Sequence, residues 1–439
     1  MSFPRYPKYK ASGVEWLGEV PEHWNTLRIK RLFEIKKRIA GVLGFDVLSV
    51  TQQGLKVRDL DSNDGQISMD YSKYQFVEIG DFAMNHMDLL TGYIDIASMQ
   101  GVTSPDYRVF SIRDQKTQCK EYFLYLFQMG YKNRIFFAYG QGSSQLGRWR
   151  LPTEQFNDFP FPLPPLDEQV AIAGFLDRET AKIDGLVAEQ RKLIDLLKEK
   201  RQAVISHAVT CGLNPSAPMK PSGIEWLGDI PAHWEVTSLK RSFESIDYGI
   251  SDALDSDGQI AVLRMGNIID GKIVLDDLKF TDSVDPALLL RAGDLLYNRT
   301  NSLHLVGKVG MYSGEENTSV SFASYLVRLR TTSRNFPPYF SYLLNVEGLL
   351  GVARADAFIA IGQCNLNPTR YGLIRIALPP LAEQIAIVEF LDAETAKIDA
   401  LVAESERAIE LLQERRTALI SAAVTGKIDV RNHQDKETA

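Results

Sequence analysis

The sequence is poor in cysteine and contains no long apolar run. Its three cysteines, Cys119, Cys211 and Cys364, lie far apart and match no zinc-binding spacing. This argues against a disulfide framework and fits a reducing compartment. Nowhere do about 18 apolar residues follow one another, as a membrane span requires. The first residues, MSFPRYPKYK, also lack the apolar centre of a signal peptide. We therefore expect a cytoplasmic protein with no membrane partner.

The motifs of common methyl-transferring and nucleotide-binding enzymes are missing as well. The nearest match to an Asn-Pro-Pro-aromatic loop is residues 335–339, where Phe336 occupies the position that needs a polar acceptor. We interpret this stretch as a helix start. Residues 140–145 resemble a phosphate cradle but lack the Gly-Lys-Ser/Thr ending of an ATP-binding loop. The 6 histidines form no metal-binding spacing. Together these absences argue against an enzyme and against a cofactor or metal held by this chain.

The charge is negative overall but unevenly distributed. A formal net charge of −7 argues mildly against a nucleic-acid partner, because phosphates attract Lys and Arg. Residues 1–162 have 20 Lys+Arg and 18 Asp+Glu, a balance of +2, whereas residues 382–439 have 7 and 12, a balance of −5. Basic residues of the first stretch cluster at Arg28, Lys30, Arg31, Lys36, Lys37 and Arg38. A local basic surface is therefore compatible with the acidic total.

The chain contains an internal repeat: two copies of one sequence unit follow each other. Residues Ser12–Glu34 (SGVEWLGEVPEHW…) return at Ser222–Glu244 (SGIEWLGDIPAHW…), 210 positions later. A longer segment, Leu163–Thr210, returns at Leu378–Thr425, and 32 of the 48 aligned residues are identical. At 439 residues the chain is also too long for a single core. Two similar units in one chain predict a molecule with pseudo-twofold symmetry.

The long repeated segments are predicted to be helices that pair with each other. They are rich in Ala, Leu, Glu and Lys, and the Pro-Pro pairs at 164–165 and 379–380 precede them. Apolar residues recur at a spacing of about 3.5, as in a coiled coil. This apolar seam consists of Ile183, Val187, Ile194, Leu197, Val204 and Ala208, with Ile398, Val402, Ile409, Leu412, Leu419 and Ala423 in the second copy. The alternative is that each helix packs only on its neighbouring domain.

Between the repeats lie two variable domains, which we predict to be α/β or α+β. Strands are expected over Val47–Val50, Ile260–Met265, Ile273–Leu275 and Leu326–Leu329, and helices over Glu121–Phe137 and Pro338–Val352. A faint common plan relates the domains: Gly80-Asp81 and Asn85 match Gly293-Asp294 and Asn298, and Tyr107–Phe110 match Tyr325–Arg328. We predict domain 1 over 1–162, a helix segment over 163–212, domain 2 over 213–377, a helix segment over 378–427 and a tail over 428–439.

Two polar loops in each variable domain have the composition of a DNA-reading surface. They span 85–88 and 140–150 in the first domain, and 298–302 and 362–367 in the second. Base edges and phosphates are contacted by Arg, Lys, Asn, Gln, Ser and Thr on rigidly placed elements. Polar loops alone indicate only exposure to solvent, but these recur at matching places in both domains. With the basic cluster and two residues after a strand, the candidate DNA-contacting residues are Lys36, Lys37, Arg38, Asn85, His86, Gln141, Ser143, Ser144, Gln145, Arg148, Arg150, Arg264, Asn267, Asn298, Arg299, Thr300, Asn301, Gln363, Asn365 and Asn367.

Several of these motifs resemble the specificity subunits of Type I restriction–modification systems. The resemblance is carried by Glu15–Gly18 with Pro21 and His23-Trp24, by their copies at Glu225–Gly228, Pro231 and His233-Trp234, and by the two LPPL-x-EQ…FLD…ETAKID segments. Residues Gly293–Ser302 (GDLLYNRTNS) also look like that family. The resemblance covers almost the whole chain and is least marked in the variable domains.

The resemblance implies a non-catalytic subunit that reads double-stranded DNA. Each variable domain would be a target recognition domain for one half of a split DNA target. Two long antiparallel paired helices would separate the two domains and set the length of the unread spacer between the two half-sites. Two modification (methyltransferase) subunits would dock on the helices, and two ATP-dependent restriction subunits can join them. S-adenosylmethionine, ATP and Mg²⁺ would be bound by those partners, with no cofactor in this chain.

Three alternatives remain open from the residues alone. The chain could be an enzyme with its own site, for which the missing motifs predict no activity. It could be a scaffold that binds only proteins, although a scaffold would not need the cluster at 28–38. It could also be the specificity subunit of a fused Type II system, which the partner genes would decide.

Overall fold

The structure, a computed structural model, describes residues 3–59, 71–143, 148–269, 271–314, 319–360 and 363–433. The chain divides into two compact units. The first unit contains Met1–Gln190 and Arg407–Ala439, and the second contains Arg191–Glu406. No helix among the described residues combines the length and apolarity needed to cross a membrane.

The two repeated segments form long helices, as predicted. The first long helix spans Leu166–Cys211 (46 residues) and the second spans Leu381–Val424 (44 residues). Each starts just after a Pro-Pro pair and contains no proline, so nothing interrupts its hydrogen-bond ladder. The predicted apolar seam is buried or half-buried throughout both helices. Both unit boundaries, at 190/191 and 406/407, fall inside these helices.

Within each unit, part of one long helix lies antiparallel to part of the other. In the first unit Arg416 donates to Asp184 at 2.9 Å. In the second unit Arg201 donates to Asp399 at 3.1 Å. Asp184 and Asp399 occupy equal positions of the repeat, and so do Arg201 and Arg416. The ion pair of one unit therefore recurs in the other with the two helices exchanged, and the pairing predicted from the apolar seam is confirmed inside each unit.

The first unit is built on a small antiparallel sheet with a helix packed on it. Strands run in the order Phe33–Lys36, Arg108–Ile112, Phe82–Met84, Ile94–Ile96. Phe123 and Phe127 of the helix Lys120–Lys132 contact the ring of Phe33 from the core side. The other strands are Tyr9–Ala11, Glu19–Pro21, Asn25–Arg28, Leu48–Thr51, Gly54–Val57, Gln75–Val77, Gly101–Thr103, Gln141–Ser143, Arg148–Arg150 and Pro160–Leu163. Shorter helices are Ile29–Leu32, Thr153–Asp158 and the 3₁₀ turn Phe136–Tyr139.

The second unit repeats this plan with a larger sheet. Its strand order is Phe243–Tyr248, Leu326–Thr331, Leu295–Asn298, Val309–Met311, Lys272–Ile273, Ile268–Ile269. The other strands are Met219–Pro221, Asp229–Pro231, Glu235–Ser238, Ile260–Leu263, Lys279–Thr281, Thr300–Asn301, Ser319–Phe322, Phe358–Ala360, Gln363–Asn365 and Arg375–Leu378. Its helices are Pro337–Leu343, Glu347–Ala355 and Pro368–Leu373, with 3₁₀ turns at Leu239–Ser242, Met265–Asn267 and Pro286–Leu288.

Several details of the variable domains differ from the prediction. The helix expected over Glu121–Phe137 ends at Lys132, and the strand expected over Ile273–Leu275 is Lys272–Ile273. The helix expected over Pro338–Val352 is broken between Leu343 and Glu347, where the Asn345 amide binds the backbone N–H and carbonyl of Val309. The match of Tyr107–Phe110 with Tyr325–Arg328 is shifted by one residue. Strand pairing puts Phe110 opposite Phe82 and Leu329 opposite Leu295, so Phe110 corresponds to Leu329. The helix start expected near residue 336 is confirmed, because the helix begins at Pro337.

The repeated motif residues attach each variable domain to its helices. His23 contacts the buried Glu168 carboxylate at 2.7 Å, and His233 contacts Glu383 at the same distance. The next residue, Gln169, accepts a hydrogen bond from the backbone N–H of Cys119 at the start of a domain helix. Gln384 does the same for Phe336. The Glu-Gln pair of the LPPL-x-EQ motif is therefore a structural clamp, and the two histidines are part of it.

Candidate nucleic-acid interface

The two polar loops predicted in the first domain meet in the structure. The N–H of Leu89 donates to the carbonyl of Trp149 at 2.8 Å, and the N–H of Leu151 donates to that of His86 at 2.9 Å. The second loop is a β-hairpin in which Gln141–Ser143 pair with Arg148–Arg150. We call Gln141–Arg150 the first hairpin.

The foot of the first hairpin is fixed by aromatic packing. The Trp149 indole stacks on Phe137 with 5.0 Å between ring centroids and donates to the Phe137 carbonyl at 2.7 Å. Gln141 and Arg150 are exposed beside it. Ser143 and Arg148 belong to the paired strands, but their side chains lie outside the described residues, as do Ser144 and Gln145 entirely. The ends of the hairpin strands are thus held by aromatic packing next to two exposed polar side chains.

The second domain makes the same junction. The N–H of Leu366 donates to the carbonyl of Arg299 at 2.8 Å, as Leu151 does to His86. Strand Thr300–Asn301 pairs with Gln363–Asn365, and the Asn365 amide donates to the Thr300 hydroxyl at 3.1 Å. We call Phe358–Asn365 the second hairpin. Both predicted loop pairs are therefore brought together, at equivalent places in the two domains.

A groove of about 500 Å³ lies beside the second hairpin. Its lining contains four of the predicted residues and is formed by Thr300, Asp356, Phe358, Gln363, Cys364, Asn365, Asn367 and Arg370. The Gln363 side chain is exposed, and an amide of this kind can form two hydrogen bonds with one base. The groove thus presents base-reading chemistry at the surface.

Several predicted residues of the second domain have structural roles instead. Asn267 is buried, its amide donates to the carbonyls of Val274 and Asp276, and its oxygen accepts from the N–H of Arg264. The Arg264 guanidinium is bound to Asp277 at 2.7 Å. We therefore remove Asn267 from the candidate DNA contacts. Asn367 is exposed but caps a helix by accepting from the N–H of Thr369 and Arg370, and the Asn301 oxygen accepts from the N–H of Ser302.

The matching asparagines, Asn85 and Asn298, occupy the strand ends next to the junctions. Asn298 is 1% exposed, and both polar atoms of its amide lack a hydrogen-bond partner among the described residues. The Asn85 side-chain oxygen is likewise unpartnered. After Asn298, Arg299 is half-buried, lies 5.0 Å over the Tyr248 ring and donates to the Ser324 carbonyl. Buried unpaired amides are costly, so these positions are suited to a bound group or water.

The predicted basic cluster is largely neutralised by acidic residues from elsewhere in the chain. Arg28 and Lys30 both pair with Asp158, and Lys30 is the main cause of the lowered pKa of that carboxyl. Lys36 pairs with Glu34 at 2.7 Å. The remaining predicted contact, Arg38, binds the carboxylates of Glu78 and Asp81. Of Lys36, Lys37 and Arg38, only Lys37 is exposed with no ion pair among the described residues. The open basic surface considered from the sequence is therefore much smaller than the cluster.

His86 lies in a cationic environment beneath the first hairpin. Burial, reinforced by the charges of Arg108 and Arg150, lowers the pKa of His86 to about 3. Its ring nitrogen Nδ1 has no partner among the described residues. The imidazole is therefore neutral near pH 7. Among the described residues, no group of three or more His, Cys, Asp or Glu side chains is arranged to hold a metal ion.

The lowered pKa of His86 predicts a loss of stability in mild acid. An unfolded histidine binds a proton below about pH 6.5, while folded His86 stays neutral down to about pH 3. The unfolded state thus takes up the extra proton, and the stabilisation is lost as the pH falls through this window. Between pH 7 and pH 5 the free energy of unfolding should fall by about 2 kcal/mol more in the wild type than in His86→Gln.

Urea unfolding of both proteins at the two pH values measures this difference. His207→Gln, at an exposed position of the first long helix, is the matched control and should behave as the wild type. Equal pH dependence in the wild type and His86→Gln would contradict the prediction.

Comparison with known proteins identifies a domain and a set of relatives. Residues 50–194 match the family described as the Type I restriction modification DNA specificity domain. A Type I restriction enzyme specificity subunit of Methanocaldococcus jannaschii is 25% identical over 443 residues, covering 94% of this chain and 96% of that protein. The resemblance seen in the motifs is thus found over nearly the full length.

Two solved structures have the same fold. A chain from a Type I restriction–modification system has a TM-score of 0.65 at 15% identity, covering 92% of this chain and 98% of that one. The HsdS subunit of Thermoanaerobacter tengcongensis has a TM-score of 0.52 at 16% identity, covering 93% and 98%. At these identities the likeness concerns the fold, and it confirms the predicted class of a mixed helix and strand chain with two domains and two long helices.

Proposed function

We propose that this chain is a specificity subunit of a Type I restriction–modification system and that it reads a DNA target made of two separated halves. One observation carries the proposal. Each unit joins its two polar loops through the same backbone hydrogen bond, Leu151 to His86 and Leu366 to Arg299. The side chains around the two junctions differ, so the same scaffold would present two different reading surfaces. Catalysis would reside in partner subunits.

We further propose that the long helices dock two copies of one modification subunit. Leu186 and Leu196 of the first long helix are exposed, and so are Leu401 and Leu411, the same repeat positions in the second. All four are between 47 and 56% exposed. Leucines exposed at equal positions of both helices would give two equivalent apolar surfaces, and such surfaces suit two equal partners.

The exposed leucines form one pair in each unit. In the first unit, Leu186 and Leu411 lie on the same side of the Asp184–Arg416 ion pair along the helix axes, within roughly 5 Å of one another in height. In the second unit, Leu196 and Leu401 have the same relation to Arg201–Asp399. Two equal apolar pairs support two equal docking sites. The two modification subunits docked there would bring S-adenosylmethionine and the methyl-transfer site, and restriction subunits that use ATP and Mg²⁺ could join them.

Exchanging one recognition domain should change one half of the target. The strands Glu235–Ser238 and Arg375–Leu378 pair with each other and close the second domain, so both should be replaced together. We expect a chain carrying residues 235–378 of a relative, reconstituted with its modification subunit, to methylate a sequence that differs in one half only. Methylation-aware sequencing of the host genome measures both halves at once.

The half of the target read by the unchanged first domain is the internal control. The purified chain without its modification subunit is the second control and should transfer no methyl group. A change in both halves after the exchange, or methylation by the purified chain alone, would overturn the proposal.

A further inference from the structure

Arg108 is a buried cation with no acidic partner among the residues that the structure describes. It is 4% exposed in the strand Arg108–Ile112 of the first unit. Its Nη2 donates to the Leu151 carbonyl and to the Thr153 hydroxyl, each at 3.2 Å. The guanidinium lies 4.4 Å over the ring of Phe156. Its Nη1 is buried and has no hydrogen-bond partner among the described residues.

Arg328, the other fully buried arginine among the described residues, has an acidic partner, and so do the half-buried Arg330 and Arg38. Arg328, 3% exposed, binds Asp247 at 2.6 Å, and Arg330 binds the buried Asp294 at 2.7 Å. Arg38 binds Glu78 and Asp81. The pattern is the one that desolvation demands, because a buried charge needs an opposite charge. Arg108 departs from it.

The surroundings of Arg108 add further cationic and unpaired groups. The charges of Arg108 and Arg150 both act on the His86 imidazole, so the three side chains lie close together. Burial lowers the pKa of Arg108 to about 10, which leaves it charged near neutral pH. Leu151, whose carbonyl Arg108 binds, directly follows the first hairpin and donates to His86. The unpaired charge therefore sits at the foot of the proposed reading element.

We propose that Arg108 and Arg150 form an anion site at the foot of the first hairpin and that it takes a DNA backbone phosphate. This rests on the proposed function. An Arg guanidinium matches a phosphate geometrically, so the exposed Arg150 would contact the phosphate directly. The enclosed charge of Arg108, whose Nη2 holds the hairpin foot and whose Nη1 is unpaired, would attract the phosphate from beneath. The phosphate would supply the missing counter-charge and would orient the hairpin on the duplex, because phosphate contacts fix register. His86, neutral, leaves room for a hydrogen bond at Nδ1.

A methylphosphonate scan tests the site. The probe is a duplex with the target that the intact chain and its modification subunit methylate, with one phosphate at a time replaced by an uncharged methylphosphonate. For the wild type, one position at the first half-site should weaken binding by about tenfold or more, the size of a charge-assisted hydrogen bond. For Arg108→Met the same replacement should have a clearly smaller effect, and the dependence of log affinity on log salt should become shallower. Arg108→Lys, which keeps the charge, should retain the salt slope.

The phosphates of the second half-site are the internal control and should respond equally in all variants. Identical scans and salt slopes for the wild type and Arg108→Met would overturn the proposal and leave Arg108 as a clamp of the hairpin foot. If Arg108→Met does not fold, Arg150→Met, at an exposed position, decides alone: it must abolish the effect of the same methylphosphonate or the site is refuted. Absence of specific binding at both half-sites by the wild type would instead refute the proposed function.

Discussion

Placing glutamate at the four exposed leucines of the long helices should remove both modification subunits from the complex. Leu186→Glu with Leu411→Glu changes the first unit, and Leu196→Glu with Leu401→Glu changes the second. Burying a leucine contributes about 1.5–3 kcal/mol, so losing a pair should weaken docking by about 100-fold or more. We expect one partner to be lost with either pair and methyl transfer to vanish when all four are changed. Native mass spectrometry of the reconstituted complex counts the subunits.

Charge reversal at exposed polar positions of the same helices is the matched control. Lys192→Glu and Arg407→Glu occupy equal repeat positions and are exposed, so they alter charge without removing an apolar contact. They should leave both partners bound. Full occupancy by two partners in the fourfold leucine variant would show that docking takes place elsewhere.

Lengthening both long helices by one heptad should lengthen the unread spacer between the two half-sites. Seven residues inserted after Glu189 and after Glu404, next to the unit boundaries, keep the apolar seam in register and add about 10 Å to each helix. A base pair rises about 3.4 Å and turns about 34°. The preferred spacer should therefore grow by up to about three base pairs, or by less if the DNA bends or twists to absorb the change.

A four-residue insertion at the same two places provides the contrast. It turns the seam by about 40° beyond a full turn and should damage assembly, whereas the heptad should not. The spacer is read from methylated genomic sites. Efficient methylation with the original spacer by the heptad variant would show that the helices do not act as a ruler.

The long helices were predictable because their signal is local and duplicated. An unbroken seam from Ile183 to Ala208 and its copy fix both the helical periodicity and the buried face. The recurrence of the two polar loops in both domains was visible in the same way, but the backbone hydrogen bonds that join the loops were not. These features depend on spacing along the chain, which a sequence displays directly.

The features that could not be predicted from the sequence depend on contacts between residues that lie far apart in the chain. Asp158 neutralises Arg28 from 130 positions away, and Asp81 binds Arg38 from 43 positions away, so the basic cluster looked more open than it is. The one-residue shift between Phe110 and Arg328 arises in loops of unequal length. Arg108 was missed because a single arginine in a strand predicts only an exposed edge. Its burial and lack of a carboxylate exist only in the folded domain.

The division of the chain has a consequence for the order in which the protein folds on the ribosome. The second unit is one continuous stretch, whereas the first needs Arg407–Ala439 to close: Trp24 packs against Gly426, and the Tyr122 hydroxyl donates to the carbonyl of Val424. At about 5–20 residues per second, the ribosome needs roughly 10–50 s to pass from Gln190 to Gly426. During that time the first unit lacks its C-terminal residues and cannot complete its core, whereas the second unit can already complete its own. We therefore expect the second unit to fold before the first, and the nascent first unit to stay accessible to proteases and chaperones for longer.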